Sequence, residues 1–84
     1  MQNVNTSLLS TICEIPGAPG FENQIRAFIQ KELQPLNFNS TIDNLGNLTY
    51  VIPGKSNTKV MVAAHMDEIG FMVTHIDDKG FLKF

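Results

Sequence analysis

The sequence has one cysteine, Cys13, so no internal disulfide can staple its 84 residues. That cysteine sits among Leu8, Leu9 and Ile12 with no basic neighbour to favour a thiolate, which predicts a buried structural thiol. No apolar run approaches the roughly 20 residues of a membrane-spanning helix. The opening Met1-Gln2-Asn3-Val4-Asn5 lacks the basic start of a secretory signal, so a cytoplasmic address is expected. Charge of one sign is also missing. The net charge is −2, without an acidic or basic run, which argues against a nucleic-acid or membrane partner. There is no internal repeat, low-complexity tract or linker.

What is present reads as helices first and strands after. Leu8, Leu9, Ile12 and Cys13 fall on one face of a helix from Asn5 to Glu14, with Asn5 or Thr6 as N-cap and Pro16 as stop. Pro16-Gly17-Ala18-Pro19-Gly20 is a turn-rich connector. A second helix is expected over Phe21 to Gln34, with Phe21, Ile25, Phe28, Ile29 and Leu33 as the stripe that packs on a sheet. Glu22 suits its first turn and Pro35 marks its end.

The period then changes to two. Phe38, Ser40 and Ile42 alternate with polar residues, Asn44-Leu45-Gly46-Asn47 is a turn, and Leu48 to Ile52 completes a hairpin. Val60-Met61-Val62-Ala63-Ala64 is a short continuous apolar run that predicts a buried central strand covered on both faces. Phe71 to Ile76 is strand-like, and Asp77-Asp78-Lys79-Gly80 turns the chain into a terminal half-strand, Phe81 to Phe84. The fold class is α/β. A domain of this length buries roughly 60–65% of its unfolded surface, a thin margin.

His65 follows the apolar run directly, at the strand end where open α/β sheets place their ligand sites. Asp67 stands two residues on, so in extended chain the imidazole and carboxylate face one side. A metal-bound histidine commonly gives its other N–H to a carboxylate, and His-x-Asp suits that task. Taken alone it is only a three-residue pattern. The second such pair, His75 and Asp77, borders the Asp77 to Gly80 turn and needs no functional explanation. Met61, Met66 and Met72 read as core filler, and Gly54-Lys55-Ser56 lacks the upstream glycine of a phosphate loop.

The run from Val60 to Val73, with its core His65-Met66-Asp67-Glu68-Ile69-Gly70-Phe71-Met72, resembles the first metal-binding motif of the glutamyl/deblocking aminopeptidases. Those are dinuclear zinc or cobalt peptidases, often of the tetrahedral, dodecameric type. Pro16 to Glu22 and Asp43 to Asn47 are similar to that family's opening segments, in the same order. The resemblance implies a metalloaminopeptidase that trims peptides from the amino end by metal-activated water, with two divalent ions, zinc or cobalt. It makes His65 a metal ligand and Asp67 the orienting acid counted as catalytic, while Glu68 is expected to be structural.

It also implies that residues 1–70 open a catalytic domain built on a helix-flanked mixed sheet. Residues 71–84 would open an inserted β-rich dimerisation domain, leaving Phe81 to Phe84 unpaired. The remaining ligands and the general base would lie beyond Phe84, so these residues alone are expected to be an inactive amino-terminal fragment. Two other readings remain: a non-catalytic structural module, and a metal-dependent hydrolase akin to relatives labelled glycanases. Against the latter, no paired acids of glycoside hydrolysis stand near His65.

Overall fold

The computed structural model describes residues 3–84. Met1 and Gln2, part of the opening read above for its lack of basic charge, lie outside them. Helix α1 spans Thr6–Glu14 and starts where predicted: the Asn5 side chain accepts the Leu8 N–H at 3.0 Å, satisfying a donor that the helix cannot pair internally. It ends before Pro16, with the Ile15 N–H reaching back to the Ile12 carbonyl at 3.3 Å. None of its residues is buried, and Cys13 is exposed, contrary to the expected packed thiol. An apolar face is buried only as far as another element covers it, and α2, whose Phe28 lines a shallow groove with Leu8 and Thr11, leaves Leu8, Leu9 and Ile12 partly exposed.

Helix α2 spans Asn23–Leu33 and begins later than expected because Glu22 is its N-cap rather than part of its first turn. The Glu22 carboxylate instead accepts the Gly20 N–H at 2.8 Å. Ile25 is the buried member of the predicted stripe, worth about 1.5–3 kcal/mol on burial, whereas Phe28, Ile29 and Leu33 are half-buried and Phe21 is exposed. The helix ends at Leu33, just before Pro35, as expected. Pro35 enters a single 3-10 turn, Gln34–Leu36, that ends at Asn37 in the left-handed conformation.

Strands β1 (Asn39–Ile42) and β2 (Leu48–Val51) form the predicted antiparallel hairpin, with Asn39 opposite Val51 and Ile42 opposite Leu48. Leu48 and Tyr50 make its half-buried face, and α2 is tied to its turn by the Arg26 Nε–H, 2.9 Å from the Gly46 carbonyl. Strands β3 (His75–Ile76) and β4 (Leu82–Lys83) form a second, shorter antiparallel ladder. The expectation that Phe81 to Phe84 would be unpaired is thus corrected, since a tight turn lets Leu82 and Lys83 fold back on the segment before it.

Two further expectations fail. Val60 to Ala64 is neither a strand nor buried: Val62 is 93% exposed, and no described segment pairs with its backbone. An apolar run makes a strand only when a neighbouring strand takes its N–H and C=O groups. The helix-flanked mixed sheet is accordingly replaced, among the described residues, by two separate two-stranded antiparallel ladders beside two helices. The radius of gyration is 17.4 Å, against about 12 Å for a compact domain of this length. The accessible surface of 8056 Å² exceeds the roughly 5,000 Å² of a compact protein of equal mass, so only roughly 40% of the unfolded surface is hidden. Among the described residues, no helix is long and apolar enough to cross a membrane.

Candidate functional site

The three segments singled out by the sequence meet in one place. The Glu68 N–H donates to the Gly17 carbonyl at 2.9 Å, docking the His65 to Gly70 segment onto the proline-rich connector. Gly17 is buried under that contact. A Cβ there would stand 3.4 Å from both the Ile25 side chain and the Met66 carbonyl, in ordinary van der Waals contact, so position 17 is closely packed between α2 and the motif backbone. The bond is made by the Glu68 backbone, not by its side chain.

On the other side, the Asp43 to Asn47 turn is held by Arg26. Glu22, Arg26, residues 45–48 and residues 64–67 line a common cleft of about 180 Å³. Within it, His65 Nδ1 lies 2.8 Å from the Asp67 main-chain carbonyl and 3.1 Å from Asp67 Oδ1. Both partners are acceptors, so Nδ1 is the donor here, and in the neutral ring this tautomer has its lone pair on Nε2. The spacing argument therefore holds for the side chains even though the segment is not a strand. The His65 side chain is 84% exposed and that of Asp67 41%, so their attraction is screened by water and contributes little to stability.

Asp43 has a different task. Its Oδ1 accepts the N–H groups of Leu45 and Asn47, each at 2.9 Å, and its Oδ2 accepts the Asn47 side-chain amide at 2.8 Å. The Asn47 amide first, then the backbone N–H groups, hold its carboxyl below the ordinary carboxylate range. With both oxygens engaged, it serves the turn. His75 and Asp77 are not brought together as a site: Asp77 Oδ1 accepts the N–H groups of Lys79 and Phe81, and His75 faces Lys83 in the ladder. Among the described residues, no group of three or more His, Cys, Asp or Glu side chains could hold a metal ion. Arg26 and its bond to Gly46 were not foreseen from the sequence; the signal was an arginine beside the one deeply packed residue of its helix.

A small α/β unit thus gathers the Asp43 to Asn47 turn, the start of α2 and an exposed His-x-Asp pair around one cleft, a candidate binding or catalytic site. Comparison with known proteins makes this specific. The family model for M42 glutamyl aminopeptidases matches residues 46–84. A provisionally named aminopeptidase of Acetivibrio thermocellus is 52% identical over 77 residues, covering 92% of this chain and 23% of that protein. The lysyl aminopeptidase of Pyrococcus furiosus is 44% identical over 81 residues, 95% of this chain and 23% of that protein. The glutamyl aminopeptidase of Lactococcus lactis is 34% identical over 74 residues, 86% of this chain and 21% of that protein. The chain belongs to the M42 glutamyl aminopeptidase family. It spans less than a quarter of the length of these curated relatives. No solved structure matches it significantly.

Proposed function

We propose that these residues supply His65 as a metal ligand and Asp67 as its orienting acid to a dinuclear-metal aminopeptidase of the relatives' length, which removes amino-terminal residues from peptides. The carrying observation is the contact of His65 Nδ1 with two Asp67 oxygens, an arrangement that in the neutral ring places the lone pair on Nε2 for a cation. A neutral imidazole suits zinc or cobalt, and one such ligand is fewer than the three protein ligands of a usual catalytic zinc. The other ligands and the general base then come from outside these 84 residues, and the isolated chain is inactive. When bound, the two divalent ions supply Lewis acidity for peptide hydrolysis. Asp67 fixes the imidazole tautomer and orientation, and the Glu68 to Gly17 bond fixes the backbone that carries both.

On the same reading, residues 1–70 belong to the catalytic domain and residues 71–84 begin an inserted β-rich domain used in homo-oligomer assembly, with a cytoplasmic address. The exposed Val60 to Ala64 run becomes a central strand of the catalytic sheet when the rest of the polypeptide covers it. In the full-length polypeptide, His65→Ala should lower bound metal, read by elemental analysis, and reduce peptide release. Asp67→Asn should cut rate or metal affinity by about 10–100-fold while the protein stays folded. Normal metal content and kinetics in both variants would overturn the proposal.

A further inference from the structure

We infer that Arg26 is a positioning residue of the His65–Asp67 cleft, acting through the Gly46 carbonyl to hold the Asp43–Asn47 turn as one of its walls; this rests on the metalloaminopeptidase reading above. The molecule contains its own control. In the turn from Asp77 to Phe81, the aspartate accepts two backbone N–H groups at 2.9 Å, the Gly80 N–H reaches the Asp77 carbonyl at 3.0 Å, and Gly80 has φ +84°. The Asp43 turn repeats every one of these features, with Gly46 at φ +85°. A hairpin turn of this kind therefore needs an aspartate and a glycine. It does not need an arginine.

Nothing lies within 4 Å of where a Cβ on Gly80 would stand, whereas a Cβ on Gly46 would stand 2.5 Å from Arg26 Nη2. The guanidinium lies against the bare face of Gly46. Arg26 donates from Nε to the Gly46 carbonyl at 2.9 Å and from Nη1 to the Asn23 side-chain oxygen at 3.0 Å. Because the fork is planar and rigid, the bond to Asn23 sets the direction of the bond to Gly46. The neighbouring residue Ile25 packs on Gly17, whose carbonyl holds the Glu68 N–H. Consecutive residues of α2 thus brace opposite sides of one cleft, Ile25 the motif and Arg26 the turn facing it.

The test uses the full-length polypeptide with Arg26→Met and Arg26→Lys, and His65→Ala as reference. For Arg26→Met, kcat/KM on an aminoacyl-anilide should fall about 10–100-fold, as sub-ångström misplacement of a site does, with metal content and thermal midpoint close to the parent's. Arg26→Lys should recover part of the loss, because an ammonium reaches one acceptor but cannot fix its direction through a second. Hydrogen exchange of the Gly46 and Asn47 amides should accelerate about tenfold in Arg26→Met, with the Gly80 and Phe81 amides unchanged. Unchanged exchange at Gly46 and Asn47 would overturn the inference whatever the kinetics, as would parental kcat/KM in Arg26→Met, or activity lost only in step with thermal midpoint. If Arg26→Met misfolds, Arg26→Lys decides by the same exchange readout. Parental activity and metal in His65→Ala would instead bring down the functional reading and leave the exchange result to judge Arg26.

Discussion

The two hairpin turns of this chain have one local design and two tertiary settings. Each begins with an aspartate whose carboxylate gathers the N–H groups two and four residues on, and each closes on a glycine in the left-handed region. The Asp77 turn stands free, and its ladder holds two residue pairs. The Asp43 turn carries a second layer: an asparagine amide on the spare carboxylate oxygen and an arginine on the glycine carbonyl. Local chemistry sets the shape of a turn, and only the added layer ties it to a site.

The comparison is broken most severely at the glycines. In the full-length polypeptide, Gly46→Ala should destabilise by about 1–2 kcal/mol through left-handed backbone strain, and it also pushes the flexible arginine tip off the glycine, which costs little stability but breaks the brace. Gly80→Ala meets the strain alone and should cost about 1–2 kcal/mol. Chemical denaturation should therefore give similar midpoints for the two variants while kcat/KM falls in Gly46→Ala alone, and equal kinetics would show that the arginine adds nothing to the turn.

A smaller effect sharpens the comparison through pH. The depressed carboxyl of Asp43 binds its proton less readily folded than unfolded, so its contribution to stability is complete above the ordinary aspartate value of about 3.9. That contribution is lost as pH falls through the lower folded value. Asn47→Ala removes the largest cause of the depression, so the Asp43 carboxyl should titrate closer to the ordinary value, as followed by carbon NMR. An unmoved midpoint would assign the depression to the backbone N–H groups.

Much of the local structure was legible because it depends on near neighbours. Asn5 as a cap, the 3.6-residue stripe through Ile25, the period-two hairpin and both aspartate turns are short-range signals, and each appears where its residues are. The same is true of His65 and Asp67, whose two-residue spacing suffices to bring them into contact. What failed depended on distant partners. Val60 to Ala64 has the composition of a central strand but no partner strand among the described residues, and Cys13 lies on an apolar helix face that is only partly covered. Arg26 escaped notice because a helix pattern records which residues turn inward, not which carbonyl twenty residues away receives a guanidinium. Laying the two Asp-x-x-Gly stretches side by side would have prompted the question of why one is followed by asparagine.

The bare Val60 to Ala64 run also has a consequence for synthesis. A polypeptide leaves the ribosome at about 5–20 residues per second, so this run waits for its cover on a timescale in which other molecules can reach it. Exposed, apolar and free of internal charge, it is the kind of segment that templates aggregation, with Lys59 on its border as a charged gatekeeper. Yield in a cell should therefore fall as expression rate rises, and Met61→Lys in the 84-residue chain should raise the soluble fraction, while on the proposed reading it should harm the full-length protein.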